Sequence, residues 1–363
     1  MNRNISEQTN QSFIYFDKKD KKWIVNGLKE ARTILESSSF RTAKKDELDQ
    51  DTSSFFLALS LATEEDFPRL KKSFSKNFTP SKVLSYNNDY FIPVAFSLVR
   101  QLSGKNEIHC FNDYVEPYCR QAIFRLLGIE IDIGNEILAS IKVAQRYFHE
   151  EGPSSIKGKF IYKMICNNIE EMLNGKSLIS DDNSLIHNIQ KDHSLSQKEK
   201  VAFIFPFFEM LASKMTHELP VHLIIKIASH RVVQQRVREH PEELSKVVHE
   251  VARGLEGLML TRFAKEDVEI NGKQIKKGDK VAISITHTNK DNRVFKNPTS
   301  FNPWRLELKE SLSFGAGEHR CLGKGIAIHL SMTAVQALID VTEFIEPGGD
   351  IHHIQPLWKP FEK

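Results

Sequence analysis

Apolar residues recur at helical spacing through most of this chain, and only short stretches alternate in the way that strands do. Alternation between Phe13 and Val25 predicts one or two early strands, and residues 27–35 then predict a short helix. Further helical patterns cover residues 111–129 and two stretches within 139–175. A second β region is predicted where residues 268–270 meet residues 276–281 around a turn at Asn271-Gly272. The chain is therefore predicted to be mainly α with a small β region.

A capping box opens an apolar run in the middle of the chain. Ser196 and Glu199 stand three residues apart, as they do at many helix N-termini, and the apolar residues 201–211 follow. We interpret this run as a long central helix. Pro206 and Pro220 are each expected to bend or end it, because proline cannot donate a backbone hydrogen bond.

A cysteine stands in a glycine-rich loop in the last fifth of the chain. Residues 314–323 read Phe-Gly-Ala-Gly-Glu-His-Arg-Cys-Leu-Gly, and a good helix former follows from 324 to 344. Cys321 therefore precedes a helix N-terminus, where the dipole and free N–H groups stabilise a thiolate that binds soft metals. A buried cysteine in a turn is the structural alternative. A phosphate-binding loop is not favoured, because its spacing requires glycine at Glu318 and Ser or Thr at Gly325.

The pattern Phe-Gly-x-Gly-x-His-x-Cys-x-Gly resembles the haem-binding loop of the cytochromes P-450, whose cysteine is the proximal ligand of haem iron. The resemblance implies the cytochrome P-450 fold and a haem b cofactor (iron protoporphyrin IX). It also implies that Cys321 is the axial iron ligand and that Phe314, Gly315 and Gly323 belong to the cofactor-binding loop. His319 would bind a haem propionate, although a surface histidine is the structural alternative.

Composition sets wide bounds on the class of protein. A chain of 363 residues allows one domain or two, and the resemblance favours a single haem-thiolate domain, 1–363, with residues 1–12 as a polar tail. A net charge of +3 from 50 basic and 47 acidic residues is too balanced to indicate nucleic-acid binding. The polar N-terminus predicts no membrane anchor, and four cysteines without paired spacing favour a reducing cytoplasm. By resemblance, we expect a monomer of the bacterial type.

Two cations are candidates for further propionate contacts. Residues 66–80 resemble the family helix that ends in Phe-Thr-Pro, but Phe67 and Lys71 replace its usual His or Trp and Arg. Phe67 cannot donate a hydrogen bond, whereas Lys71 would pair with a propionate as a point charge. A solvated helix face is the alternative for Lys71. Arg262, nine residues after Arg253, stands where the family has a propionate-binding arginine.

Three charged residues are expected to stabilise the fold. Glu250 and Arg253 are three apart in a helix predicted over residues 242–259, so they share one face and can form an ion pair. They match the Glu-x-x-Arg of the family, although such pairs also occur on many surface helices. Arg305 matches the segment before the haem loop and, by resemblance, stacks against this pair.

The central helix departs from the family where protons are delivered to dioxygen. Residues 212–216, Ala-Ser-Lys-Met-Thr, replace Ala/Gly-Gly-x-Asp/Glu-Thr, so that Thr216 is matched and Met215 stands in place of the acid. Methionine cannot relay a proton. Three possibilities follow. Water and Thr216 deliver the proton, a substrate group delivers it, or the reaction is not ordinary hydroxylation. His217 and Glu218 are expected to face another side of the helix.

Two less specific regions are expected to border the substrate. By resemblance, residues 40–63 cover the distal side of the haem, with local core packing as an equal alternative. The two helical stretches within 139–175 are predicted to form a short lid.

The resemblance implies a haem-thiolate monooxygenase that oxidises a small organic substrate of secondary metabolism with dioxygen and electrons from a ferredoxin. An acidic donor would suit a basic face that comprises Lys71, Lys72, Lys76, Arg320 and Lys324. One alternative is a peroxide-dependent oxygenase, or a catalyst of coupling or rearrangement, in which Lys214 pairs with a substrate carboxylate. The other is a haem protein that binds a ligand or a carrier-protein-tethered substrate without oxidising it.

Overall fold

The computed structural model describes residues 13–42, 66–152, 155–175, 179 and 181–359. The predicted tail 1–12 and most of the predicted cover over residues 40–63 lie outside the described residues. Within the described residues the chain is mainly helical with short strands, as predicted.

The strands are β1 Ile14–Asp17, β2 Lys22–Val25, β3 Phe40–Arg41, β4 Ile108–His109, β5 Met259–Ala264, β6 Val268–Ile270, β7 Lys273–Ile275, β8 Lys280–Ser284, β9 Thr342–Pro347 and β10 His353–Trp358. The α-helices are α1 Leu28–Glu36, α2 Phe67–Ser75, α3 Pro80–Tyr86, α4 Ile92–Leu102, α5 Glu116–Leu127, α6 Ile131–Glu151, α7 Ile156–Leu173, α8 Leu185–Gln190, α9 Gln197–Ala212, α10 Met215–Ser229, α11 Arg231–Glu239, α12 Leu244–Gly254, α13 Ile285–Thr288 and α14 Lys324–Val341.

These elements form two units, each built from two segments of the chain. The first unit comprises Met1–Ala43 and Ala252–Cys321, and the second comprises Lys44–Val251 and Leu322–Lys363. The first therefore contains the cysteine loop as far as Cys321, and the second contains the central helical region.

A five-stranded sheet of order β1-β2-β8-β5-β3 organises the first unit. The early strands predicted from alternation form an antiparallel pair, β1 and β2, and β2 then pairs in parallel with β8, where Val25 lies opposite Ile283. Both side chains are fully buried and pack in one core with Ile34, Phe295 and Leu312. This core lies directly behind the cysteine loop, because Leu312 and Ala316 belong to it.

The predicted turn at Asn271-Gly272 is present, but its strand partner differs from the prediction. Asn271 and Gly272 have φ of 49° and 71°, as a two-residue hairpin turn of type I′ requires, and the turn joins β6 to β7. A two-residue turn pairs the strands that directly flank it, so residues 273–275 pair with β6. The predicted partner, residues 276–281, is wrong, since β8 pairs instead with β5 and β2.

Helices dominate the second unit, with a three-stranded sheet of order β4-β10-β9. Its core includes Tyr114 and Tyr118, which are fully buried and whose hydroxyls donate to backbone carbonyls of α14 at 2.8 and 3.0 Å. These two bonds satisfy the phenol groups and fix α14 against the segment that enters α5.

The central helical run is broken, and the break does not fall at a proline. Ser196 and Glu199 form the predicted capping box at the start of α9. Pro206 and Pro220 both lie inside helices, whereas α9 ends at Ala212 and α10 begins at Met215. Lys214 occupies the left-handed region at φ 64°, which ends the first helix and redirects the chain into the second.

Two other helix boundaries differ from the sequence prediction. The helix predicted over 242–259 is a 3-10 turn followed by α12, which ends at Gly254, and Met259 already belongs to β5. The helix predicted over 324–344 ends at Val341, and Thr342 begins β9. The β-branched Thr342 and Ile345 suit the strand better than a helix end. Within the described residues, no helix is both long and apolar enough to cross a membrane.

Candidate functional site

The cysteine loop is a closed backbone turn that leads into α14. The Cys321 N–H donates to the Phe314 carbonyl at 2.9 Å, and the Gly315 N–H donates to the Leu312 carbonyl at 2.8 Å. The Cys321 side chain is exposed, three residues before α14 begins at Lys324. The prediction of a cysteine just before a helix N-terminus is confirmed, and the alternative of a buried cysteine in a turn is wrong.

Two glycines of the loop have backbone conformations that other residues rarely adopt. Gly315 and Gly317 have φ of 72° and 69°. A Cβ on Gly317 would lie 2.3 Å from the Leu35 carbonyl oxygen at the end of α1, so this position tolerates no side chain. Gly315 has no such neighbour, since its nearest atom would be 3.7 Å away.

A buried asparagine anchors the start of the loop. Asn289 is fully buried, and its side chain accepts from the Leu312 N–H at 2.8 Å and donates to the Ser313 hydroxyl at 3.0 Å. Its own carbonyl accepts from Nη1 of Arg253 at 2.7 Å. Arg253 is thus connected to the cysteine loop through the backbone and side chain of one residue.

Arg262 is a buried cation on β5. Its side chain is 7% exposed, and Nη1 donates to the Thr261 carbonyl at 2.8 Å. Burial lowers the pKa of its guanidinium to about 10, and no carboxylate in the described part of the chain pairs with it. A buried guanidinium that has no carboxylate partner favours an anionic ligand.

The other residues predicted to stabilise the fold are buried. Glu250 and Arg253 are 1% and 2% exposed, so the surface-helix alternative is wrong for both. Arg253 also lies 5.1 Å from the centre of the Phe295 ring. Arg305 donates to the carbonyls of Lys296 and Ser300 at 2.9 and 2.7 Å, which folds the segment before the loop back on itself.

Lys71 lies on α2, as predicted, with its Nζ 5.6 Å from the ring centre of the buried Phe67. Among the described residues, Lys71 has no carboxylate partner, whereas Lys76 pairs with Asp192 at 3.6 Å. His319 is half-buried within the cysteine loop. No described carboxylate therefore competes with an anionic ligand for the ammonium group of Lys71.

The break between α9 and α10 holds the residues that replace the distal acid. Thr216 is half-buried as the second residue of α10, and its carbonyl lies 3.8 Å from the sulfur of the buried Cys119. Met215 is 46% exposed and offers no titratable group. Lys214 extends over the Phe111 ring, with 4.8 Å between Nζ and the ring centre.

A cavity of about 220 Å³ opens beside this break, within the second unit. Lys214 and His217 line it, and Thr216 does not, so His217 faces a different side of α10 from Thr216. This confirms the expectation that His217 does not share a face with Thr216. The His217 ring is 3% exposed and lies edge-on to Phe111, with ring centres 5.3 Å apart.

Sequence reasoning assigned no role to three buried polar residues. Asn289 opens the segment before the cysteine loop, and His217 was expected only to face another side of its helix from Thr216. Glu209 is 2% exposed and accepts from Tyr162 and from Gln145, and burial raises the pKa of its carboxyl. A polar residue inside an apolar run is the signal that could have identified Glu209 in advance.

The first unit carries features that a flat iron porphyrin with two carboxylates requires. Cys321 offers an exposed sulfur, Gly315 offers backbone without a side chain, and Arg262 offers a buried charge that calls for an anion. The residues present therefore fit a haem group.

The sequence matches known proteins over most of its length. The family model for Cytochrome P-450 matches residues 223–359, a range that includes the cysteine loop. The biotin biosynthesis cytochrome P-450 of Bacillus subtilis is 24% identical, over 87% of this chain and 82% of its own length. A Priestia megaterium cytochrome P-450, CYP107DY1, is 26% identical over 84% of this chain and 77% of its own length.

Solved structures show the same fold. P-450 BioI, in complex with an acyl carrier protein ligated to hexadec-9Z-enoic acid, has a TM-score of 0.78 and 21% identity, and covers 95% of both chains. Substrate-free CYP109E1 from Bacillus megaterium has a TM-score of 0.82 and 17% identity over 96% of each chain. Epothilone D-bound P-450 epoK has a TM-score of 0.78, with 19% identity over 96% of this chain and 94% of its own.

The fold is that of solved cytochromes P-450. The chain is similar to the cytochromes P-450 in sequence and in fold. These similarities support an oxidoreductase of the monooxygenase type with a haem-iron cofactor, and the similar proteins include enzymes of bacterial biotin and polyketide biosynthesis.

Proposed function

We propose that this protein is a monooxygenase of bacterial secondary metabolism that holds haem b through the Cys321 thiolate and oxidises a small organic substrate. The observation that carries the proposal is the exposed Cys321 sulfur at the end of a closed glycine loop, directly before α14. Thiolate-ligated haem supplies the cleavage of dioxygen and the transfer of one oxygen atom to the substrate.

The chain's own cations would hold the two propionates. Arg262 is the main candidate, because its buried guanidinium has no carboxylate partner in the part of the chain that the structure describes. Lys71 and His319 are proposed as further propionate contacts, and Phe314, Gly315 and Gly323 as the backbone frame around the ligand. Glu250, Arg253 and Arg305 keep a structural role, supported by their burial.

Proton delivery would depend on Thr216. Its hydroxyl can accept and donate a hydrogen bond, whereas the thioether of the neighbouring Met215 is only a weak acceptor and carries no proton to transfer. Since Met215 is largely exposed at the start of α10, water has access to this turn. We propose that water and Thr216 together replace the missing acid.

Haem ligation is tested by the absorption spectrum of the reduced, carbon monoxide-bound protein. Wild type should show the red-shifted Soret band of thiolate ligation. Cys321→Ser should lose it, whereas Cys166→Ser, at a half-buried cysteine outside the loop, should keep it. A Cys321→Ser protein that retains the shifted band would overturn the assignment of the ligand.

The source of electrons separates the proposed reaction from its alternative. We propose that a ferredoxin supplies them, guided by Lys72, Lys76, Arg320 and Lys324. Turnover should then require a ferredoxin and its reductase, and Lys72→Glu with Lys324→Glu should slow reduction most at low ionic strength. Turnover with peroxide alone, lost in Lys214→Ala, would favour the peroxide-dependent reaction. Haem binding without product from either source would indicate a ligand-binding protein.

A carrier-tethered acyl chain is a second candidate substrate. It is favoured by the likeness to P-450 BioI, whose solved complex contains an acyl carrier protein ligated to a fatty acid. Mass spectrometry of the holoenzyme incubated with hexadecenoyl carrier protein, and separately with free hexadecenoic acid, distinguishes the two forms. Oxidation of the tethered chain alone would establish the carrier as a partner, and oxidation of neither would leave a small free metabolite as the substrate class.

We also propose that residues 1–363 act as one haem-thiolate domain and as a monomer. The support is the length of the match, since known haem-thiolate structures align with 95% or more of this chain. Size-exclusion chromatography with light scattering on the haem-loaded protein tests the monomer directly.

A further inference from the structure

The cavity beside the break between α9 and α10 has a composition unlike that of an ordinary surface cleft. Its volume of about 220 Å³ is well above the roughly 10–15 Å³ that one water molecule needs. Its charged lining comprises Glu116, Arg120, Lys142 and Lys214, and therefore carries an excess of two positive charges.

One carboxylate and one guanidinium in this lining already satisfy each other. Arg120 donates from Nε to Glu116 at 3.0 Å and from Nη1 to the Asn135 side chain at 2.9 Å. Lys142 on α6 and Lys214 have no carboxylate partner within the residues that the structure describes. The excess positive charge of the cavity therefore belongs to these two ammonium groups.

His217 gives the cavity a buried polar group that needs a partner. Its ring is 3% exposed, and among the described residues neither Nδ1 nor Nε2 has a hydrogen-bond partner. A buried imidazole without partners is unfavourable, so a ligand or water in the cavity must satisfy it.

Apart from the exposed Asn112, the remaining lining is apolar. Phe111, Leu138, Leu211 and Ala212 provide it, and the Phe111 ring contacts both Lys214 and His217. An inorganic anion would leave this apolar surface unused, whereas an organic anion with a short hydrocarbon body would cover it.

We propose that this cavity is a binding site for a small organic carboxylate, held by Lys142 and Lys214, hydrogen-bonded to His217 and packed on Phe111. The site lies wholly within the second unit and does not depend on haem ligation by Cys321. In this site Lys214, at the helix break, pairs with the carboxylate of the ligand. The chain itself has no acid where the family motif has one.

Calorimetric titration of the haem-loaded protein with butyrate tests the site, with the Soret band followed in parallel. Butyrate should bind without shifting the Soret band, and butanamide, its neutral analogue, should not bind. Lys142→Ala and Lys214→Ala should each raise the Kd about fivefold, as expected for exposed charge pairs. Lys163→Ala, which removes an exposed lysine from α7, is the matched control and should leave the Kd unchanged.

His217→Leu should abolish butyrate binding, because it removes the only buried polar group of the lining. Lys142 is exposed, so Lys142→Ala keeps the test valid if the histidine variant fails to fold. Equal binding of butyrate and butanamide, binding of inorganic phosphate as tight as that of butyrate, or a Kd unchanged in both lysine variants would overturn the proposal. The carbon monoxide spectrum reports separately on Cys321, so failure of this site is distinguishable from failure of the proposed enzyme function.

Discussion

Arg253 donates a hydrogen bond from Nη1 to the Asn289 carbonyl at 2.7 Å, and both residues are almost completely buried. Asn289 in turn binds residues 312 and 313 through its side chain. The Ser311 hydroxyl also donates to the Asn289 side chain, so the segment that leads into the cysteine loop is attached to the end of α12 through one residue. A charged residue in a helix therefore stabilises a loop that lies more than fifty positions later in the sequence.

Asn289→Ala should destabilise the protein by about 2 kcal/mol, because it leaves the buried Leu312 N–H without its acceptor and removes the bond to Ser313. Urea unfolding measures this change. Asn292→Ala is the matched control, since Asn292 is exposed in the same segment and should alter the free energy of unfolding by less than about 0.5 kcal/mol. Equal effects of the two substitutions would contradict the anchoring role of Asn289.

Gly317→Ala should lower stability by more than about 2 kcal/mol, because a Cβ there would strike the Leu35 carbonyl in addition to straining the left-handed backbone. Gly278 also has a positive φ, but nothing lies near its Cβ position. Gly278→Ala should therefore cost only the backbone strain, about 1 kcal/mol. Urea unfolding of both variants distinguishes the steric clash from the backbone strain. Similar losses of stability in the two variants would show that the end of α1 moves away from residue 317 at little cost.

Arg262→Met should have opposite effects on the free protein and on haem binding. Removing a buried charge that lacks a carboxylate partner should leave the haem-free protein as stable as wild type or more stable. Its haem affinity should fall about tenfold, since one charge-assisted hydrogen bond to a propionate is lost. Haem titration followed by tryptophan fluorescence, beside urea unfolding of the haem-free protein, measures both quantities.

Arg262→Lys should fall between wild type and the methionine variant in haem affinity, because lysine keeps the charge without the bidentate geometry. A lower stability of haem-free Arg262→Met with unchanged haem affinity would assign Arg262 a purely structural role.

His217 should make stability fall as the pH is lowered. Burial, together with the ammonium groups of Lys214 and Lys142, lowers the pKa of His217 to about 4, whereas Glu116 and the nearby Lys214 carbonyl act to raise it. Between about pH 6.5 and 4 the unfolded chain binds a proton that the folded protein excludes. The neutral ring therefore stabilises the fold fully above pH 6.5, and that contribution is lost as the pH falls towards 4.

The loss amounts to about 3 kcal/mol at most across this range. His217→Phe should flatten the dependence of the free energy of unfolding on pH between 6.5 and 4, as measured by urea titrations at several pH values. His222→Gln, at an exposed position of the same helix, is the control and should keep the wild-type slope. A steep slope that persists in His217→Phe would assign it to other groups.

Local sequence determined much of this protein. The capping box at Ser196, the turn at Asn271-Gly272 and the cysteine before α14 depend on residues within a few positions of one another, and all three are present as predicted. The spacing of the cysteine loop also indicated the resemblance to the cytochromes P-450, and the comparisons support it.

Tertiary structure decided the features that depend on distant residues. Pro206 and Pro220 predicted the wrong place for the helix break, because packing in the second unit keeps both inside helices and Lys214 makes the turn instead. The parallel pairing of β2 with β8 joins segments more than 250 residues apart, and Asn289 finds its partners only in the folded chain. Whether a polar residue is buried and paired, as Asn289 is, or buried without a partner, as His217 is, depends on which distant segments surround it.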